Sequence, residues 1–149
     1  MSDARVWRWR NTPVPEQHLT GLIVGAMLHR VWPRRLGGRF PARAGGAVLL
    51  LAGAAVVSWA MASAGPNDLE QPDHVIAGGA YAHSRNPMYV GWTLGYLGAG
   101  TLGDSVWPLI LLPGVAAAIA REVRHEEARL AARFGADYES YTDRVPRFL

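Results

Sequence analysis

The stretch 44–65, AGGAVLLLAGAAVVSWAMASAG, runs without a single charged side chain. A helix of about 20 such residues, rising about 1.5 Å per residue, crosses a hydrocarbon layer of roughly 30 Å. This is the clearest transmembrane span in the chain. The rest of the composition agrees with it: 50% of the 149 residues are hydrophobic and the mean hydropathy is +0.03. That is too apolar for an ordinary soluble domain of this size.

A second apolar region, 86–120, carries Asp104 as its only charge. It is longer than the roughly 17 to 25 residues that one span needs, so it predicts two helices joined by a tight turn near LGDS. Gly103 can end the first helix, Asp104 or Ser105 can cap the next, and Pro108 suits its first turn. Pro113 is then internal and is expected to kink that helix. The earliest candidate, HLTGLIVGAMLHRVW, has a clean apolar stretch only over 19–28 before His29 and Arg30, which makes it a marginal, short or tilted span. The expected fold is therefore all-α: a polytopic membrane helical bundle of about four transmembrane helices, a single domain over 1–149, with a helical C-terminal tail.

All 15 basic residues are arginine, a bias that, with the many Ala and Gly residues, points to a GC-rich bacterial genome. They cluster beside apolar runs instead of forming a stripe with interleaved aromatics, which favours lipid headgroups over nucleic acid as the anionic neighbour. The region from Arg121 onward holds six arginines, the connection before Asn86 holds Arg85, and the Asp104 turn holds none. The positive-inside rule then places the Tyr81 region and the C-terminus in the cytosol, with Asp104 outside. Arg30, Arg34, Arg35, Arg39 and Arg43 resist this count. Either the first two helices form a shallow hairpin, or the count misleads there. The polar start, MSDARVWRWRNTPVPEQHL, does not read as a removable signal peptide. The segment 65–84, with three acids, two prolines and a Gly-Gly pair, reads as an ordered connector outside the hydrocarbon.

With no cysteine there is no thiolate nucleophile, disulfide or zinc-cysteine site. The histidines show no metal-ligand spacing, so no metal is expected. No Ser-His-Asp order, phosphate loop or Rossmann glycine pattern is present. Two polar clusters do stand out, YAHSRNPMY (81–89) entering the third helix and REVRHEEARL (121–130) leaving the fourth, and hairpin topology brings them to one end of the bundle. Each has a bland reading. Asn86 is a good N-cap and Pro87 a good first helical residue, Tyr89 and Trp92 are interfacial aromatics, Glu126 pairs with Arg129, and Arg121 and Arg124 anchor the membrane face. The other reading is a site. Unpaired N–H groups at a helix start beside Arg85 suit a carboxylate or phosphate, and Glu126 and Glu127 opposite them suit an ammonium or ribose hydroxyls. Arg121 could orient a substrate there.

GGAYAHSRNPMYVG, the Glu-Glu pair some forty residues later and the ending RFGADYESYTDRVPRFL together resemble the isoprenylcysteine carboxyl methyltransferase and phospholipid methyltransferase superfamily. The resemblance covers 75–149. That family's pattern is Arg-His-Pro-x-Tyr followed by Glu-Glu. Arg85, Pro87, Tyr89, Glu126 and Glu127 match it, while Asn86 stands for the histidine, as in the phosphatidylethanolamine N-methyltransferase variant. The resemblance implies an integral-membrane enzyme of the bacterial cytoplasmic membrane that uses S-adenosyl-L-methionine. Its cofactor-binding core would be 75–149, packed behind N-terminal helices over 1–65. Tyr81, His83, Arg85, Asn86, Pro87, Tyr89, Glu126 and Glu127 would line the cofactor site on the cytosolic face, with Arg85 and Glu127 as catalytic candidates and Arg121 toward the substrate. The acceptor would be lipid-like or a small membrane-accessible molecule, offering a carboxylate, amine or thiol, and a lipid acceptor would arrive laterally from the bilayer. Two rivals stay in view: an NADPH-dependent sterol or steroid reductase with a related Arg-His-Pro-Asn-Tyr pattern, and a non-catalytic membrane hairpin protein. Met88 in place of asparagine, the Glu-Glu pair and the short chain favour the methyltransferase.

Overall fold

In a computed structural model, residues 15–37, 40–67, 69 and 71–149 are described. The N-terminal stretch before Pro15, together with Arg39, Asp68 and Glu70, lies outside the described residues, so the signal-peptide reading falls outside them too. Among the described residues five α-helices follow in order: α1 Glu16–Val31, α2 Phe40–Ala64, α3 Pro87–Leu102, α4 Trp107–Phe134 and α5 Ala136–Thr142. A short 3₁₀ turn, Gly79–Ala82, precedes α3. Among the described residues there is no strand.

The expectation of four spans is met only in part. One helix among the described residues is long and apolar enough to cross a membrane, over Ala42–Ala64. The others fall short for definite reasons. α1 and α3 have 16 residues each, about 24 Å of rise against a layer of roughly 30 Å. α4 has 28 residues, but its charges begin at Arg121 and leave an uncharged half of only 107–120. Pro113 lies inside α4, which continues past it.

α3 is the central helix. Its contact with α2 is backbone against backbone: a Cβ on Gly53 would lie 2.5 Å from the Gly91 carbonyl oxygen and 2.7 Å from the Gly95 amide nitrogen. Near the other end, a Cβ on Gly98 would lie 2.7 Å from the Gly46 carbonyl oxygen and from the Leu50 nitrogen. Such seams of small residues let helices approach closely where lipid offers no hydrophobic drive. On its far side α3 meets α1 and α4. Tyr96 packs with Val115, Ile119 and Val123, and its hydroxyl donates to the Pro108 carbonyl at 2.8 Å. His18 of α1 is buried against this group and donates from Nε2 to Thr93 Oγ at 2.9 Å, because the Thr93 hydroxyl proton is given to the Tyr89 carbonyl.

The turn between α3 and α4 falls where the sequence places it, but the caps differ. Gly103 closes α3. Asp104 takes a left-handed conformation, φ 51°, which Asp tolerates better than most residues, and so belongs to the turn itself. The N-cap of α4 is Val106, without a side-chain cap. Its N–H donates instead to the Arg34 carbonyl at 3.0 Å, and Trp107 Nε1 donates to the Trp32 carbonyl at 2.9 Å. These bonds seat the segment after α1 beside the Asp104 turn. α1 therefore runs the length of the bundle, packing Gly21 on Val115 and Gly25 on Pro108. The segment carrying Arg34 therefore lies at the Asp104 end of the bundle.

Replacing Gly53 by alanine forces two backbones apart and is expected to cost about 1–3 kcal/mol, whereas alanine at Gly45, where a Cβ meets nothing within 4 Å, should be neutral or stabilising. Thermal unfolding of the two variants in detergent reads the difference.

Candidate functional site

The entry to α3 is built by the end of the chain. Asn86 occupies the N-cap position and Pro87 the first helical position, but Asn86 makes no side-chain capping bond. Its Nδ2 donates to the Arg147 carbonyl at 3.0 Å, so the capping role expected from sequence is not what this side chain does. Ser84, buried to 3% exposure, accepts the Asn86 N–H on its Oγ at 3.1 Å. The Arg85 N–H donates to the Pro146 carbonyl at 2.9 Å, and the Tyr141 hydroxyl donates to the Tyr81 carbonyl at 2.8 Å. With the Ser84 hydroxyl, which donates to the Arg147 carbonyl at 3.4 Å, four backbone and side-chain groups of the 81–86 segment bond to α5 and the tail after it. Val145 packs with Tyr138 and Tyr141, and Phe148 packs on the core of α3 and α4.

Behind this clasp lies a cavity of about 150 Å³. Tyr81, Arg85, Asn86, Pro87, Tyr89 and Glu126 line it, bringing together most of the residues singled out in the sequence. The remaining three are elsewhere. His83 is exposed, with its ring 5.6 Å from that of Trp59. Arg121 is exposed on α4 and is not in the lining. Glu127 sits beside the cavity, its carboxylate held by Arg147 Nη2 at 2.7 Å and approached by Arg85 Nη2 at 3.4 Å. The cavity also has walls that sequence reasoning missed: Val75 and Ile76 from the connector, and Phe134, Tyr138 and Tyr141 from the end of α4 and α5. Isolated apolar residues in an otherwise polar connector were the available signal for the first pair.

The electrostatics follow from who is paired. With Glu127 engaged by arginines, Glu126 is the acid that faces the cavity. Burial raises its pKa, and the charge of Arg129 pulls the other way. Burial, with the negative charge of Glu126 added, raises the Tyr81 phenol. Tyr138 and Tyr141 are pushed up to about 12, chiefly by burial. All three phenols therefore stay protonated and can serve as hydrogen-bond donors and as aromatic faces. Arg85 lines the cavity, and its Nε is buried without a hydrogen-bond partner among the described residues, an unmet donor. The cavity thus offers an incompletely paired guanidinium, a half-buried carboxyl and several aromatic rings. That set suits a ligand that carries both an anionic group and a cationic one.

A family model described as phospholipid methyltransferase matches residues 41–137, more than half of the chain. The match takes in Arg85, Glu126 and Glu127 and stops short of Tyr138 and the tail. No curated protein and no solved structure matches the chain.

A carboxyl whose folded pKa is raised stabilises the fold at low pH and loses that contribution as pH rises through the folded value. Unfolding temperature of the ligand-free protein is therefore expected to fall as pH climbs from near the ordinary carboxyl value of 4.5 through Glu126's raised range. Glu126→Gln should remove that fall, which a pH series of thermal melts on both proteins will show.

Proposed function

The chain belongs to the phospholipid methyltransferase family, enzymes that transfer methyl groups to membrane lipid-like substrates, and from that premise we propose that it is an S-adenosyl-L-methionine-dependent methyltransferase acting on a lipid-like acceptor at the cytosolic membrane face. The observation that carries this reading is the cavity in which Arg85, Glu126 and the tyrosine rings meet at the end of the apolar bundle. The bundle would lie in the bilayer with α2 as its full span and the shorter helices packed around it.

The residues fit the cofactor. The incompletely paired Arg85 guanidinium offers a partner to a carboxylate, and Glu126 offers one to an ammonium or to ribose hydroxyls. Tyr81, Tyr89, Tyr138 and Tyr141 supply aromatic surface for an adenine ring and for an onium centre. S-adenosyl-L-methionine, when bound, supplies an electrophilic methyl group on a sulfonium: the acceptor's lone pair forms the new bond to carbon, and the carbon–sulfur bond breaks with its pair staying on sulfur. What the protein adds is placement and dryness. The tail clasp fixes Arg85 and Tyr81, and Val75, Ile76 and Phe134 close the cavity with apolar surface. Aligning acceptor and methyl group while excluding water can account for most of the acceleration in such a displacement. A lipid headgroup reaches this level with its chains still in the bilayer, since Pro87 and Tyr89 lie at the start of α3.

Calorimetry of the detergent-purified protein with S-adenosylhomocysteine and with NADPH tests the reading. The homocysteine compound should bind and NADPH should not, and Arg85→Met and Glu126→Gln should each weaken binding by about tenfold, the loss of one charge-assisted hydrogen bond. A folded wild-type protein that fails to bind S-adenosylhomocysteine overturns the proposal.

A further inference from the structure

Arg85 and Arg147 share one carboxylate, and they share it unequally. Arg147 takes Glu127 side-on, with Nε at 3.2 Å from Oε1 and 3.0 Å from Oε2 and with Nη2 at 2.7 Å from Oε2. Arg85 reaches the same group only through Nη2, at 3.4 Å from Oε1, and its Nε is left without a partner. The two differ in exposure as well. Arg147 is 41% exposed at the side chain, whereas Arg85 and Glu127 are 14% and 13% exposed. The half-exposed arginine thus holds the less exposed carboxylate, and the less exposed arginine, which lines the cavity, is left incompletely paired. A buried guanidinium next to an uncommitted carboxylate would ordinarily close a bidentate pair with it.

We propose that Arg147 is a positioning residue of the cofactor site. By occupying Glu127 it keeps Arg85 from collapsing into a full ion pair, and so leaves the Arg85 guanidinium free to take the anionic end of the ligand in the cavity. The tail carries out this function through two kinds of bond at once. Its carbonyls at Pro146 and Arg147 fix the Arg85 backbone and the Asn86 side chain, while the Arg147 guanidinium sets the charge that Arg85 faces. Glu127, in this arrangement, is a competitor for Arg85 that Arg147 keeps engaged. The inference rests on the methyltransferase reading above, because it takes S-adenosylhomocysteine as the probe of the cavity.

The experiment is calorimetric titration of S-adenosylhomocysteine into detergent-purified wild type, Arg147→Gln, Arg147→Lys, Glu127→Gln and the double variant Arg147→Gln/Glu127→Gln. Arg147→Gln frees Glu127 to capture Arg85 and should weaken binding by about tenfold. Arg147→Lys, which keeps the charge, should stay within about threefold of wild type. The decisive variant is the double one: with the competing carboxylate also gone, affinity should return to within about threefold of wild type. A role limited to holding the tail in place makes the opposite forecast, since removing both partners cannot restore a lost anchor. A double variant as weak as Arg147→Gln, or an Arg147→Gln protein that binds like wild type, overturns the inference. Should Arg147→Gln not fold, Glu127→Gln alone decides: binding at or above wild-type strength supports the inference, and a tenfold loss overturns it. Failure of the wild type to bind at all strikes the methyltransferase reading, which these variant comparisons do not.

Discussion

The close approach of α2 and α3 at Gly53 and Gly91 leaves no room for a side chain between two helix backbones, and the placement of everything else depends on it. α2 is the one helix among the described residues with the length and apolarity to span a bilayer, and α3 has neither the length to span by itself nor any charge to anchor it. Seated directly on α2, α3 becomes the central post against which α1 and α4 pack through Tyr96 and its neighbours. The start of α3 is then held at one end of the bundle, where the second half of α4 emerges with its charged residues. The site arises from that geometry: a helix start with Arg85 on one side and a pair of glutamates on the other.

What completes the site is the tail. The 81–86 segment has few partners of its own and takes them from Tyr141, Pro146 and Arg147. Val145 and Phe148 pay for that ordering by burying apolar surface on two different clusters. The same tail brings a second cation to Glu127 and leaves Glu126 as the acid exposed to the cavity. Two adjacent glutamates thereby acquire different surroundings, one paired with arginines, the other half-buried, raised in pKa and facing the cavity.

Much of this was legible in the sequence because its signals are local. The uncharged run 44–65 became α2, and Gly103 with Pro108 divided the region after Asn86 into α3 and α4. The pairing of the Arg85 cluster with Glu126 followed from hairpin topology. What could not be read depends on distant partners. Asn86 has the chemistry of a cap, yet the Arg147 carbonyl claims its side chain. Asp104 and Ser105 have it too, but the N-cap of α4 is Val106, whose amide donates to the Arg34 carbonyl. Val75, Ile76 and Tyr138 reach the cavity only through the path of the connector and the fold-back of α5, and the one local sign is that Val75 and Ile76 are apolar within a polar connector. His83 and Arg121 illustrate the reverse case, residues close in sequence to the site whose positions turn them away from the cavity.

We propose that the cavity between the start of α3, the second half of α4 and the tail holds S-adenosyl-L-methionine. Ultraviolet cross-linking of the purified protein with methyl-tritiated cofactor, followed by peptide mapping, tests it without knowledge of the acceptor. Label should enter peptides containing 81–89 or 126–141 and should be suppressed by excess S-adenosylhomocysteine. Label confined to α1 or α2, or unaffected by the competitor, would contradict the account.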